Sequence, residues 1–281
     1  MSVWEALLLG VVQGITEFLP VSSSGHLVLL QKIFGMEEPA LFFDTAVHGG
    51  TLIAVLVVLR QDIWNILRRI FQPLTLYLII ATIPTVIAAL LFKDQIEGAF
   101  TSGTFLCFAF LITSALLFLS EKLFRRSQKN GGYPAKLEAA ATGRFQDEMN
   151  PLDALVIGIL QAVAIVPGIS RSGATISAAL ARRLNRDFAA RFSFLLSIPA
   201  ILGALVLQGK DLFQAGVAEG LGGVGLIPLV VGVFSACVAA FFSVSLTLKI
   251  VREHSLLGFS VYTGILGVLV LIDRFWTHFF F

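Results

Sequence analysis

Two long apolar stretches of this chain are interrupted at their centres by charged and polar residues, and this limits the fold more than any other feature. In the stretch from about 3 to 30 the interruption reads Glu17-Phe-Leu-Pro-Val-Ser-Ser-Ser-Gly-His26, and in that from about 152 to 181 it reads Pro167-Gly-Ile-Ser-Arg-Ser-Gly-Ala-Thr175. Six further runs, at about 41–60, 74–92, 101–120, 188–207, 226–248 and 256–272, are uninterrupted. Each approaches the roughly 20 apolar residues that cross about 30 Å of hydrocarbon as a helix. Of the 281 residues, 57% are hydrophobic and 14% charged, against soluble averages of about 45–50% and about 25%. So few charges could not cover an aqueous surface while all these runs found burial in one core. The solvent is a bilayer, and a soluble enzyme is excluded.

A peptide group left unpaired in hydrocarbon costs several kcal/mol, so a broken stretch is tolerated only where protein or a water-filled cavity surrounds it. Each broken stretch is therefore expected to be a re-entrant helix hairpin. Most of the 20 basic residues fall in four segments. These are Arg60 to Arg69, Lys122 to Arg144, Arg182 to Arg191, and Lys249 with Arg252, whereas Lys32, Lys93, Lys210 and Arg274 lie in the alternate loops. The positive-inside rule makes the four rich segments cytoplasmic. Six spans and two hairpins fit that assignment if the first hairpin enters from outside and the second from the cytoplasm. The N-terminal Met1 to Gly10 carries Glu5 and no basic residue, unlike a cleaved signal peptide, so the chain is read as mature. A net charge of +2, with its basic residues in short clusters, gives no footprint for nucleic acid. Cys107 and Cys237 sit inside apolar runs as small hydrophobes, and the tail Arg274 to Phe281 reads as an interfacial aromatic anchor.

The two interruptions are related. Gln13-Gly-Ile-Thr-Glu-Phe-Leu-Pro-Val-Ser-Ser-Ser-Gly25 and Gln161-Ala-Val-Ala-Ile-Val-Pro-Gly-Ile-Ser-Arg-Ser-Gly173 have equal length, begin with Gln, end in Ser-Gly and carry a Pro displaced by one position. Ile83-Pro84 and Ile198-Pro199 open a second matched pair. The fold expected is thus an all-α integral membrane protein of two inverted-topology repeats, each a re-entrant hairpin plus three spans. Residues 1–120 form the first repeat, 121–150 a cytoplasmic linker containing Gly131-Gly132 and Pro134, and 151–281 the second repeat. Such architectures place their sites near the midplane, where the halves meet.

An ionised group inside the bilayer costs about 2.5–3.5 kcal/mol on insertion scales, so Glu17 and Arg171 need a reason. A mutual structural ion pair is the plain one. Against it stand the hydroxyls Ser22, Ser23, Ser24, Ser170, Ser172 and Thr175, which with glycines and a guanidinium fork form what a phosphate oxyanion requires. Each turn also opens a half-helix whose positive dipole end favours an anion. Glu17 can hold a hard divalent cation, and Gln13, four residues earlier, shares its helical face. His26, the one imidazole near either turn, can serve as acid, base or nucleophile near neutrality.

This constellation resembles the undecaprenyl-diphosphate phosphatase family, the bacitracin-resistance membrane phosphatases. The likeness covers essentially the whole chain. The family's first motif, Glu or Gln, three residues, Glu, then Phe-Leu-Pro-Val-Ser-Ser and Gly-His, matches Gln13 through His26; its second, Pro-Gly-x-Ser-Arg-Ser-Gly-x-Thr, matches Pro167 through Thr175. Where some members carry Glu this chain has Gln13, which leaves Glu17 as the better base or metal ligand. The resemblance implies hydrolysis of a polyprenyl diphosphate, the lipid carrier of bacterial cell-wall precursors, to its monophosphate and inorganic phosphate, assisted by Mg2+ or Ca2+. The site would open to the outer, periplasmic side of the bacterial inner membrane. It further implies that Arg171, Ser170, Ser172 and Thr175, with Ser22 and Ser24, bind the diphosphate, that Glu17 and Gln13 serve the metal or a proton acceptor, and that Ser23 or His26 delivers the attack. His48, in Asp44-Thr-Ala-Val-His-Gly-Gly-Thr51, matches a family pattern and is expected to line or brace the site. A homodimer is open to such a chain.

Two rivals differ in class. A transporter or flippase of an anionic lipid phosphate shares inverted repeats with broken hairpins, but transport needs no cluster like Glu17, Ser23 and His26. The other large class of membrane lipid phosphatases requires a histidine six residues beyond the arginine, where this chain has Ser177. That class is rejected.

Overall fold

The computed structural model describes residues 1–36, 41–102, 105–130, 143–215 and 224–279. These are helical nearly throughout: α1 (Val3–Thr16), α2 (Ser23–Ile33), α3 (Leu41–Val58), α4 (Arg60–Arg68), α5 (Pro73–Leu91), α6 (Lys93–Ser102), α7 (Leu106–Asn130), α8 (Pro151–Val163), α9 (Arg171–Ala181), α10 (Arg186–Ala215), α11 (Leu226–Glu253) and α12 (Leu257–Ile272). Among the described residues the only β pairing is a single bridge between Arg144 and Leu184. Among the described residues five helices are long and apolar enough to cross a membrane, and a sixth crossing follows if α3 and α4, bent by 74° at their junction, are counted as one span. The chain is a multi-pass helical membrane protein.

The helix limits have local causes. Ser2 caps α1 in a reciprocal box with Glu5, and Asn150 caps α8 in the same way with Asp153, so both hairpins start alike. Pro73 and Pro151 stand at or near the first helical positions of α5 and α8, where a missing N–H costs nothing. The run expected at 101–120 differs most. The polar sequence from Lys93 forms its own short helix α6, and α7 starts at Leu106 and continues to Asn130, through residues assigned above to the linker. On the way Glu121 meets Arg125 one turn on and Arg186 of α10. Residues 131–142 of that linker, with Gly131-Gly132 and Pro134, and the final Phe280 and Phe281 lie outside the described residues. After α3 the chain turns into α4 rather than a loop: Ile63 and Ile66 pack on the core while Arg68 stacks over Trp64 at 4.8 Å.

Packing is reciprocal between the halves. α1 lies against α11, the second long helix of the later half, and α8 lies against α5, the corresponding helix of the earlier half. Both crossings are made close by glycine at matching positions. A Cβ on Gly10 would sit 2.3 Å from the Gly232 carbonyl oxygen, and one on Gly158 would sit 2.4 Å from that of Ala81. α7 pairs with α12, and α3 with α10 and α11. Large apolar side chains such as Leu90, Val206, Phe234, Phe242 and Val261 remain exposed on the outer faces, as lipid contact demands.

One end of the bundle gathers charge. Arg191 pairs with Asp62 at 3.2 Å, Arg186 with Glu121 at 2.7 Å, and Arg186 also donates to the His254 carbonyl at 3.2 Å. Asp153 accepts from Arg144 at 2.7 Å and Arg182 at 2.6 Å. These bonds bring the four basic-rich segments to the same end, the arrangement the positive-inside reading requires.

Candidate active site

Between α1 and α2, and again between α8 and α9, the backbone leaves the helix just where the polar motifs lie. At the first turn Ser22 holds φ 72°, a left-handed value uncommon outside glycine, and its Oγ accepts from the Gly25 N–H at 3.2 Å. At the second, Gly168 has φ 90°, and a Cβ there would meet Ala109 and Leu106 at 2.8 Å. Ser170 Oγ caps α9 by accepting from the Gly173 N–H at 3.0 Å. The same device therefore starts both second arms.

The turns meet face to face. Gly168 N–H donates to Ser24 Oγ at 3.2 Å, and Ser172 Oγ donates to the Leu19 carbonyl at 2.9 Å. At the centre of this contact Arg171 Nη2 donates to Glu17 Oε1 at 2.5 Å. The other carboxylate oxygen, Oε2, accepts from Ser23 Oγ at 2.6 Å and Gln13 Nε2 at 2.9 Å, and lies 3.3 Å from His48 Nε2. Gln13, Glu17 and Ser23 are buried, and the Arg171 side chain keeps 16% exposure, enough for a ligand oxygen to reach it. Thus the ion pair and the polar cluster, set against each other in the sequence reading, coexist: Glu17 is paired with Arg171 and also ringed by a hydroxyl, an amide and an imidazole.

Five of the expected residues, Gln13, Glu17, Ser23, His48 and Arg171, are brought onto one carboxylate. The others stand around it. Ser24 and Ser172 tie the two turns together, Ser22 and Ser170 cap the helices that follow them, and Thr175 Oγ1 lies 2.6 Å from Ser193 Oγ while donating to the Arg171 carbonyl at 2.9 Å. His26 lies apart from the carboxylate: its Nδ1 is 2.6 Å from the Ser22 carbonyl and its Nε2 2.7 Å from the Tyr262 hydroxyl. Sequence reasoning missed several members. Ser193 receives Arg171 Nη1 on its carbonyl at 3.4 Å, and Thr113 Oγ1 accepts from the Ser170 N–H at 3.0 Å. Asp44 holds His48 by its backbone carbonyl at 2.6 Å, and its Oδ1 accepts from Gln31 Nε2 at 2.7 Å. The Asp44 to His48 spacing of one helical turn was the one signal available for it.

For a divalent cation the donor set is small. Among the described residues no three His, Cys, Asp or Glu side chains come together. Gln13 Oε1, however, is buried without a hydrogen-bond partner beside Glu17. An unsatisfied amide oxygen next to a carboxylate suits a hard cation whose shell is completed by phosphate oxygens and water.

Fold and site together define a helical membrane protein with a carboxylate, a guanidinium and a hydroxyl joined where two helix-turn-helix units meet. Residues 6–269 match the family model described as "Bacitracin resistance protein BacA", and the chain belongs to that family. It is 46% identical over 272 residues, 97% of each chain, to the undecaprenyl-diphosphatase of Carboxydothermus hydrogenoformans. It is 43% identical over 271 residues to undecaprenyl-diphosphatase 3 of Bacillus cereus, covering 96% of this chain and 97% of the relative. The undecaprenyl-diphosphatase of Halothermothrix orenii is 36% identical over 274 residues, covering 97% and 98%.

Proposed function

We propose that this chain hydrolyses undecaprenyl diphosphate, or a related polyprenyl diphosphate, to the monophosphate and inorganic phosphate, recycling the cell-wall lipid carrier and thereby conferring bacitracin resistance. The observation that carries the reading is the Ser23 hydroxyl aimed at Glu17 while Arg171 occupies the other oxygen of the same carboxylate. Membership of the family and the names of the relatives support it. The fold is read as two inverted repeats in the bacterial inner membrane with the site open to the periplasm. Three features support this: matching caps on α1 and α8, reciprocal packing of α1 on α11 and α8 on α5, and basic segments gathered at one end. The arms α1 and α8, of 14 and 13 residues, are about 20 Å long at 1.5 Å per residue, too short to cross, which suits re-entrant hairpins.

The chemistry follows from an exchange of partners. A terminal phosphate reaching the turns offers Arg171 two oxygens in place of one carboxylate oxygen, a better match for the planar fork. Ser170, Ser172 and Thr175, with Ser22 and Ser24, surround the same turns and bind the remaining phosphate oxygens. Glu17, released from Arg171, accepts the Ser23 proton. Ser23 Oγ then attacks the terminal phosphorus, the anhydride bond to the bridging oxygen breaks, and the polyprenyl monophosphate leaves with the electron pair. Water then attacks the phosphoserine phosphorus while His26, three residues along the same helical face, takes its proton; the bond from phosphorus to Ser23 Oγ breaks, Glu17 returns its proton to that oxygen, and inorganic phosphate leaves. His48 braces Glu17. Glu17 and Gln13 Oε1 would hold Mg2+ or Ca2+, which when bound neutralises charge on the phosphate oxygens. The named site residues all belong to one chain.

The test is phosphate release from a long-chain polyprenyl diphosphate by purified protein in detergent, with and without divalent cation, beside Glu17→Gln. Metal-dependent release that the variant loses is the expected result. No release from folded wild-type protein would replace this reading with that of a lipid-phosphate transporter.

A further inference from the structure

The imidazole of His26 is held by a residue from the far end of the chain. Its Nδ1 lies 2.6 Å from the Ser22 backbone carbonyl, which can only accept, so Nδ1 carries a proton. In the neutral ring Nε2 is then the lone-pair nitrogen, and the group 2.7 Å away that can donate to it is the Tyr262 hydroxyl. The two rings lie nearly parallel, 10° apart with centroids 5.7 Å from each other, and Phe110 closes the other side edge-on at 5.6 Å and 87°. Close helix packing does not force this bond, because α2 packs chiefly on α1 and α12 chiefly on α7. Tyr262 is 46% exposed, so its phenol can turn aside without disturbing the core.

We infer that Tyr262 is a positioning residue for His26: with the Ser22 carbonyl fixing the proton on Nδ1, its hydroxyl donates to Nε2 and holds that lone pair in place until a water or phosphate oxygen displaces the phenol. A base works only if its lone pair points at the proton it must take, and a histidine locked in the wrong tautomer loses most of its catalytic value. The Ser22 carbonyl excludes that tautomer, and the Tyr262 hydroxyl orients the nitrogen left with the lone pair. This rests on the phosphatase reading for its kinetic consequence, but not for the state of the ring.

The experiment combines solid-state NMR of protein labelled with 15N-histidine in lipid bilayers with steady-state kinetics of phosphate release. The His26 signals are assigned by their loss in His26→Gln. Wild type is expected to show one protonated and one unprotonated nitrogen, with Nδ1 protonated; Tyr262→Phe, which keeps the stacked ring, is expected to keep Nδ1 protonated and to shift the Nε2 signal as its hydrogen bond is lost. The same variant should lose at least about tenfold in kcat, with KM within about twofold, and should cause no further loss in a His26→Gln background. Unchanged His26 signals and wild-type kcat in Tyr262→Phe would overturn the proposal, as would an equal further loss in the double variant. If wild type releases no phosphate, the phosphatase reading fails and the NMR arm still decides whether Tyr262 sets the ring.

Discussion

Glu17 and Glu121 are both buried glutamates that meet an arginine of the second half of the chain, and they are bonded in opposite ways. Glu121 accepts both Nη2 bonds from Arg186, at 2.8 and 2.7 Å, then takes Arg125 at 2.7 Å and the Leu256 N–H at 3.3 Å. Arg186 and Glu121 are each almost wholly buried, and Arg186 also stacks over Phe124 at 4.8 Å. Glu17 instead gives Arg171 a single oxygen and spends the other on a hydroxyl, an amide and an imidazole, while the remaining contact of Arg171 is a long one to the Ser193 carbonyl. At Glu121 both oxygens of the carboxylate are held by arginine, which fastens the helices. At Glu17 arginine holds one oxygen of the carboxylate and the Ser23 hydroxyl the other, and in the proposed reaction Arg171 exchanges that carboxylate for a phosphate.

Breaking the two pairs should therefore give different failures. Arg171→Ala is expected to lower phosphate release by about a thousandfold or more, the scale of an electrostatic clamp, with a thermal unfolding midpoint close to wild type. Arg186→Met should do the reverse. Stranding Glu121 without its partner is expected to cost about 3–5 kcal/mol of stability, read as a fall in the unfolding midpoint in detergent, while activity per folded molecule persists. Gly158→Val sharpens the contrast by attacking the scaffold with no charge involved. Its Cβ would press on the Ala81 backbone at 2.4 Å, and an expected cost of about 1–3 kcal/mol should appear in stability and not in turnover of the folded fraction. The smallest effect belongs to Ser193→Ala, which removes the Thr175 partner and should cost about 1 kcal/mol, seen as a modest drop in midpoint.

What the sequence could reveal follows the same division. Glu17 and Arg171 were legible because a charge inside an apolar run is costly enough to demand a function, and Gln13, Ser23 and His48 followed from motif and helical spacing. Ser193 was not, since a serine between Phe192 and Phe194 looks like any packing hydroxyl until α10 is laid beside α9. Tyr262 was hidden in the same way: its role depends on where α12 passes α2, and no local pattern encodes that. Glu121 was read as part of the linker and Arg186 as part of a basic segment, because their pairing spans 65 positions. The helix boundaries differed for a related reason. Hydropathy locates the apolar part of α7, whereas the helix itself continues through the charged residues that follow it.

The most direct test of the central claim is phosphate release from a polyprenyl diphosphate by purified Arg171→Lys beside wild type. Lysine preserves the charge opposite Glu17 but not the planar fork that grips two phosphate oxygens. A loss of at least about a hundredfold, with unfolding unchanged, is the predicted result. Wild-type turnover in the lysine variant would show that Arg171 serves Glu17 as a counter-ion alone, and would contradict the account.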